Sequence, residues 1–220
     1  MTYENISLVG FDLDGTILDT VPYKLAQNQH LARQFGRNIS LEESRRIWNE
    51  SSGFADLMKN ICGTSDMSVV MPIVKRDYNL PEFQKRLFPF TRIFLEGLAR
   101  QSFRSALITN ATQEVLDLDA ETFEIASFEN YFHLVQAGDH SEYKKPDPRV
   151  FDQVLGHFGV AATQTVYIGD EIKDAHAALD AGIYFIGVET GLATSDEFKE
   201  FDVPVVPSLP QALKLLNSST

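Results

Sequence analysis

The sequence predicts an α/β protein: a doubly wound parallel sheet core carrying an inserted all-helical segment. Three observations lead there. From about residue 88 onward, short apolar runs with polar ends alternate with stretches of helical period. Between residues 19 and 85 no run reads clearly as a strand. A chain of 220 residues, 44% hydrophobic and 23% charged, has the size and composition of one soluble domain plus an insertion. The core domain is therefore expected over 1–18 and 86–220, and the helical domain over 19–85.

Each element has a local reason. Ile6-Ser7-Leu8-Val9-Gly10 is an apolar run with the look of a buried strand. Residues 20–36 read as a helix, with Pro22 tolerated in its first turn and Gly36-Arg37-Asn38 closing it. Ser40 and Glu43 have capping-box spacing and open a helix to about Asn49, which Ser51-Ser52-Gly53 breaks. Helices are expected over 54–61 and 66–78, the second weakened by Val69-Val70 and Pro72. Beyond the insertion, Thr91–Arg100 reads as a helix, Arg104–Asn110 as a strand, and residues near 112–127 as a helix. His133–Ala137 is a short strand, 147–157 a helix, and Thr165–Asp170 a strand with an acidic end. Asp174–Ala181 is a helix closed by Gly182. Ile183–Val188 and Val203–Val206 are apolar strands, Leu209–Leu216 is a last helix, and Asn217–Thr220 is a tail.

Charge and composition narrow the function. The net charge of −12 argues against a nucleic-acid-binding face, because phosphate backbones attract basic stripes. The charge is uneven: residues 19–85 hold nine Lys/Arg against eight Asp/Glu, and the remainder ten against 23. A nearly neutral insertion on an acidic core fits a segment that meets a small anion. No apolar run approaches the roughly 20 residues that span a bilayer, so no membrane partner is expected. The single cysteine, Cys62, permits no internal disulfide and suits a reducing compartment. Glu4 and the lack of a basic lead do not read as a signal peptide, and a cytoplasmic protein is expected.

The chemistry gathers at strand ends. After the first strand comes Phe11-Asp12-Leu13-Asp14-Gly15-Thr16. Alternation along an extended backbone puts Asp12 and Asp14 on one side and turns Leu13 back. Gly15 then allows a tight turn. Two crowded carboxylates repel, and either a divalent ion or a shared proton relieves them. In open α/β sheets ligands bind outside the carboxyl ends of the strands. Three more strands deliver polar groups to that same edge. One ends in Thr109-Asn110, one is followed by Lys144-Lys145-Pro146-Asp147-Pro148, and one ends in Gly169-Asp170-Glu171 with Asp174 a turn further on.

These four segments, in this order, resemble the four motifs of the haloacid dehalogenase superfamily of phosphohydrolases, and the helical insertion resembles its C1-type cap. The length and layout look most like the phosphoglycolate phosphatase-like members. The resemblance implies a Rossmann-like core and a Mg²⁺-dependent phosphatase acting on a small phosphomonoester. It implies Asp12 as nucleophile and Asp14 as general acid, then base. It places phosphoryl oxygens on Thr109 and the Asn110 N–H, and Lys145 against both nucleophile and phosphate. It gives Mg²⁺ the ligands Asp12, Asp14 (through its carbonyl), Asp170 and Asp174. Thr16 is expected to order the turn and to border the substrate. A sugar-phosphate mutase and a catalytically silent binding relative are the alternatives. A dehalogenase is disfavoured, since a halide leaving group needs no proton from Asp14. Two positions depart from the family pattern. Glu171 stands where relatives often carry Ser and is expected to cap the helix or serve an outer shell, and Phe90 stands where Gly often follows the proline. Lys144 is expected at the surface. Arg37, Arg45 and Arg46 are read as solvated cap residues, and Trp48 as cap core.

Overall fold

The computed structural model describes residues 3, 5–77, 80 and 83–217. The chain divides into two compact units, Met1–Asp19 with Arg86–Thr220, and Thr20–Lys85.

The first unit is built on a six-stranded parallel sheet. Its strands are β1 (Leu8–Phe11), β4 (Arg104–Ile108), β5 (Leu134–Gln136), β6 (Thr165–Gly169), β7 (Tyr184–Val188) and β8 (Val205–Val206), in the order β5-β4-β1-β6-β7-β8. Parallel strands covered on both faces read as continuous apolar runs, and β1 and β6 are buried throughout. Alternation sorts their side chains. Val9, Phe11, Leu107, Val166, Ile168 and Ile186 face one layer of helices. That layer is α5 (Thr91–Leu98), α6 (Gln113–Thr122) and α10 (Leu209–Asn217). Leu8, Ala106, Ile108, Tyr167 and Phe185 face the other, α7 (Asp152–Phe158), α8 (Ile172–Asp180) and α9 (Ser195–Phe198). The chain leaves β1 toward β4 and β5, then returns to the opposite side of β1 for β6 to β8. The reversal leaves a crevice at the carboxyl end of β1, where such sheets bind ligands.

The sequence reading missed a two-stranded antiparallel ribbon, β2 (Leu18–Asp19) with β3 (Arg86–Leu87), at the two points where the insertion leaves and rejoins the first unit. Two-residue strands carry too little alternation to be read. The predicted helix over 147–157 is a 3₁₀ turn, Pro148–Phe151, followed by α7. Asp147 opens that turn by accepting the Arg149 N–H at 3.0 Å. The predicted helix to 127 stops at Thr122, where Glu124 takes a positive φ of 50°. Strand β8 is shorter than predicted, α9 was not foreseen, and Asn217 belongs to α10 rather than to a tail.

The second unit is all-helical: α1 (Val21–Gln34), α2 (Leu41–Glu50), α3 (Phe54–Cys62) and α4 (Met67–Asp77). They enclose a core of Leu31, Ala32, Ile47, Leu57, Ile61 and Val70. Ser40 caps α2 by accepting the Glu43 N–H at 3.0 Å. Pro72 lies inside α4 without ending it. The expected end of that helix at Tyr78, and residues 218–220 of the expected tail, lie outside the described residues. Arg37 is not a solvated residue: its guanidinium donates to the Asn60 carbonyl and, at 2.8 Å, to the Ile61 carbonyl at the C-terminal turn of α3. Arg46 pairs in solvent with Glu50 at 2.9 Å. Trp48 packs on the helical core, with the Lys24 ammonium 4.8 Å from its ring centroid.

Candidate active site

The site grows from the end of β1. The Asp12 N–H continues the ladder to the Ile168 carbonyl at 2.9 Å, so Asp12 still obeys strand alternation. Its carboxylate therefore lies on the Tyr167 side of the sheet, while Leu13 is fully buried on the opposite side. Beyond it the chain turns tightly. The Ile17 and Leu18 N–H groups donate to the Leu13 carbonyl, the Gly15 N–H donates to the Leu18 carbonyl at 2.8 Å, and Asp14 bridges to Leu18. Gly15 has φ +76°, and a Cβ there would overlap the Asp170 carboxylate. The Thr91 hydroxyl holds the far side of the turn by donating to the Ile17 carbonyl at 2.6 Å.

Asp12, Asp170 and Asp174 come together. One carboxylate oxygen of each lies within 4.8 Å of the others, and all three residues are buried. Lys145 is buried among them, its Nζ 2.5 Å from Asp12 Oδ1 and 2.7 Å from Asp174 Oδ1. It also donates to the Tyr167 hydroxyl at 2.8 Å. Asp174 Oδ2 accepts the N–H groups of Asp170 and Glu171 at 3.1 and 3.0 Å, so this carboxylate caps α8 and faces the lysine at once. Asp170 is held by the Leu192 N–H at 2.9 Å on Oδ2 and by the Thr16 hydroxyl at 3.2 Å on Oδ1.

Burial pushes the Asp12 carboxyl up to about 7; Lys145 opposes the shift, and Asp174 and Asp14 add to it. Burial alone lowers an ammonium, but Asp12 and Asp174 hold Lys145 well above its ordinary value. Three ionised carboxylates beside one ammonium leave two negative charges in a buried space. A hard divalent cation with oxygen ligands fits that charge and that donor set.

The other expected site residues have definite places. Thr109 is buried at the end of β4, its Oγ1 accepting the Ala111 N–H at 3.1 Å. The Asn110 side chain clamps the lysine segment: its Oδ1 accepts the Lys145 N–H and its Nδ2 donates to the Lys145 carbonyl, both at 3.0 Å. Thr16 corrects an expectation. It is 0% exposed and spends its hydroxyl on Asp170, so it orders a carboxylate rather than bordering a substrate. Glu171 occupies the N-cap position of α8, and Lys144 is exposed. Phe90 stacks on Phe88 at 5.1 Å beside the start of α5.

Sequence reasoning missed Tyr167 and the segment after β7. Thr190 donates its hydroxyl to the Gly15 carbonyl at 2.7 Å, and a Cβ at Gly191 would overlap Asp170. Tyr167 had a readable signal. It pairs in register with Gly10, a glycine inside a core strand, and a Cβ on Gly10 would stand 2.8 Å from the Tyr167 ring.

Comparison with known proteins agrees with this architecture. The family model of haloacid dehalogenase-like hydrolases matches residues 9–188, and the chain belongs to that family. A phosphoglycolate phosphatase from Nitrosospira multiformis is 29% identical over 98% of this chain and 97% of its own length. One from Pseudomonas fluorescens is 30% identical over 84% of this chain and 70% of its own. Among solved structures, CbbY from Rhodobacter sphaeroides in complex with phosphate superposes with a TM-score of 0.75 at 20% identity, covering 96% of this chain and 99% of that one. That likeness establishes the fold.

Proposed function

We propose that this protein is a Mg²⁺-dependent phosphatase that hydrolyses a small phosphomonoester of the phosphoglycolate type through a phosphorylated Asp12. The observation that supports this most is the buried junction of Asp12, Asp170, Asp174 and Lys145 at the carboxyl end of β1. The names of its relatives support the substrate class.

In the first step an Asp12 oxygen bonds to phosphorus and the phosphorus–oxygen bond to the leaving group breaks. Asp14, protonated, gives its proton to the departing alkoxide. In the second step water attacks the same phosphorus, Asp14 takes the proton of that water, and the Asp12–phosphorus bond breaks. Inorganic phosphate leaves and both carboxyl groups return to their starting states. Lys145 steadies the Asp12 carboxylate, and the Thr109 hydroxyl and the Asn110 N–H receive phosphoryl oxygens. Asp12, Asp170 and the Asp14 carbonyl would hold Mg²⁺, with Asp174 beside them. Bound there, the ion neutralises charge between an anionic nucleophile and an anionic substrate. The helical unit 20–85 is assigned the part of the cap.

The test is hydrolysis of an aryl phosphate, followed by phosphate release from a panel of phosphorylated metabolites that includes phosphoglycolate. Asp12→Asn and Asp14→Asn each abolish turnover while the protein stays folded. Persistent turnover in Asp12→Asn removes the covalent route. Isomer formation from a sugar phosphate without phosphate release moves the assignment to a mutase.

A further inference from the structure

We propose that Tyr167 is a positioning residue of the reaction: its hydroxyl aims the Lys145 ammonium at the nucleophile Asp12 and keeps it off the substrate phosphate. The inference rests on the phosphatase reading above and adds a residue and a division of labour to it.

An ammonium has three hydrogens and no lone pair. Three oxygens surround Lys145 Nζ: Asp12 Oδ1 at 2.5 Å, Asp174 Oδ1 at 2.7 Å and Tyr167 Oη at 2.8 Å. The supply of hydrogens matches the oxygens one for one. The direction of the third bond is fixed as well. Tyr167 gives its only hydroxyl hydrogen to the Ile108 carbonyl at 2.7 Å, so toward Lys145 it accepts. The phenol cannot drift. Tyr167 is fully buried, with ring neighbours Phe151 and Phe185 at centroid distances of 5.0 and 6.5 Å. The hydroxyl is thus a fixed acceptor anchored to the backbone of β4, and it supplies the third point of a tripod.

A tripod on the protein has a consequence for chemistry. Lys145 holds Asp12 Oδ1, which leaves Asp12 Oδ2 as the attacking atom. A lysine whose hydrogens all lie on protein oxygens does not bind the incoming phosphoryl group. Its effect therefore falls on the reactivity and aim of the nucleophile, that is on kcat, and not on ground-state binding. Removing the phenol oxygen leaves a buried N–H without its acceptor and frees the ammonium to turn.

The experiment compares the wild-type chain with Tyr167→Phe, which keeps the ring and its packing. An aryl phosphate gives kcat and KM, and beryllofluoride with Mg²⁺, a mimic of a phosphoryl group on a carboxylate, gives an inhibition constant. Tyr167→Phe should lower kcat about tenfold and weaken beryllofluoride about tenfold, with KM within about twofold and an unchanged melting profile. Wild-type values for both quantities overturn the assignment while leaving the phosphatase reading intact. So does a rise in KM with kcat unchanged, which puts the lysine on the substrate. A fall in kcat with unaltered beryllofluoride inhibition is a loss of active protein and also overturns it. A wild-type chain that neither hydrolyses phosphomonoesters nor is affected by beryllofluoride overturns both readings.

Discussion

At the residue scale the site is held by atoms that never touch a substrate. Gly191 is the sharpest case, because any Cβ there would occupy the space of the Asp170 carboxylate. Gly191→Ala is expected to weaken Mg²⁺ binding at least about tenfold, measured calorimetrically on folded protein, since a displaced ligand loses its charge-assisted contact. Asn110 works in the same way on Lys145. Asn110→Ala removes both side-chain hydrogen bonds to the lysine backbone and should cost about 1–3 kcal/mol in denaturant unfolding, together with most of the activity. The sequence showed the chemistry-bearing residues, because their types and their places at strand ends are visible in one dimension. It did not show what they lean on. Thr16 has the composition of a substrate neighbour, yet its hydroxyl faces Asp170, a residue more than 150 positions away. Such a partner is set by the sheet register of β1 against β6, which only three dimensions reveal.

At the scale of elements, the strands with full apolar runs were legible, and so were the helices with caps or amphipathic faces. The two-residue ribbon β2–β3 and the 3₁₀ turn at Pro148–Phe151 were not, since each is shorter than one period of its own pattern. Within the helical unit, two charged side chains do structural work that composition does not advertise. Arg37→Ala should lower the stability of that unit by about 1–2 kcal/mol, because it strips a charged donor from the last carbonyls of α3. The second is Asp77, at the end of α4. Hydrogen bonds from Arg76 and His30 hold its carboxyl well below the usual carboxylate range. A carboxyl depressed in the folded state stabilises above its unfolded value, about 3.9, and loses that contribution as the pH falls toward the folded one. Asp77→Asn should therefore be less stable than wild type at pH 7. The gap should narrow steadily below about pH 4 in thermal unfolding followed by circular dichroism, and a gap independent of pH would contradict the ion cluster.

At the scale of the molecule, a sheet that sends its chain first to one side of β1 and then to the other brings four distant segments to one crevice. Burying three carboxylates there beside a single ammonium works against folding, and a bound divalent ion relieves it. Metal binding and stability are therefore linked. At a concentration one hundred times its dissociation constant, Mg²⁺ should add about 2.7 kcal/mol and raise the melting temperature by roughly 5–10 °C. The shift should vanish in Asp170→Asn and reverse with EDTA. Among the described residues no helix is long and apolar enough to cross a membrane.

The central claim is that Asp12 becomes phosphorylated during turnover. The direct measurement is a rapid acid quench of the protein with a substrate radiolabelled in its phosphoryl group, followed by peptide mapping. The account predicts a hydroxylamine-labile label on the peptide that carries Asp12, formed and lost at catalytically competent rates and absent from Asp12→Asn. Turnover with no label, or with label on another residue, would contradict it.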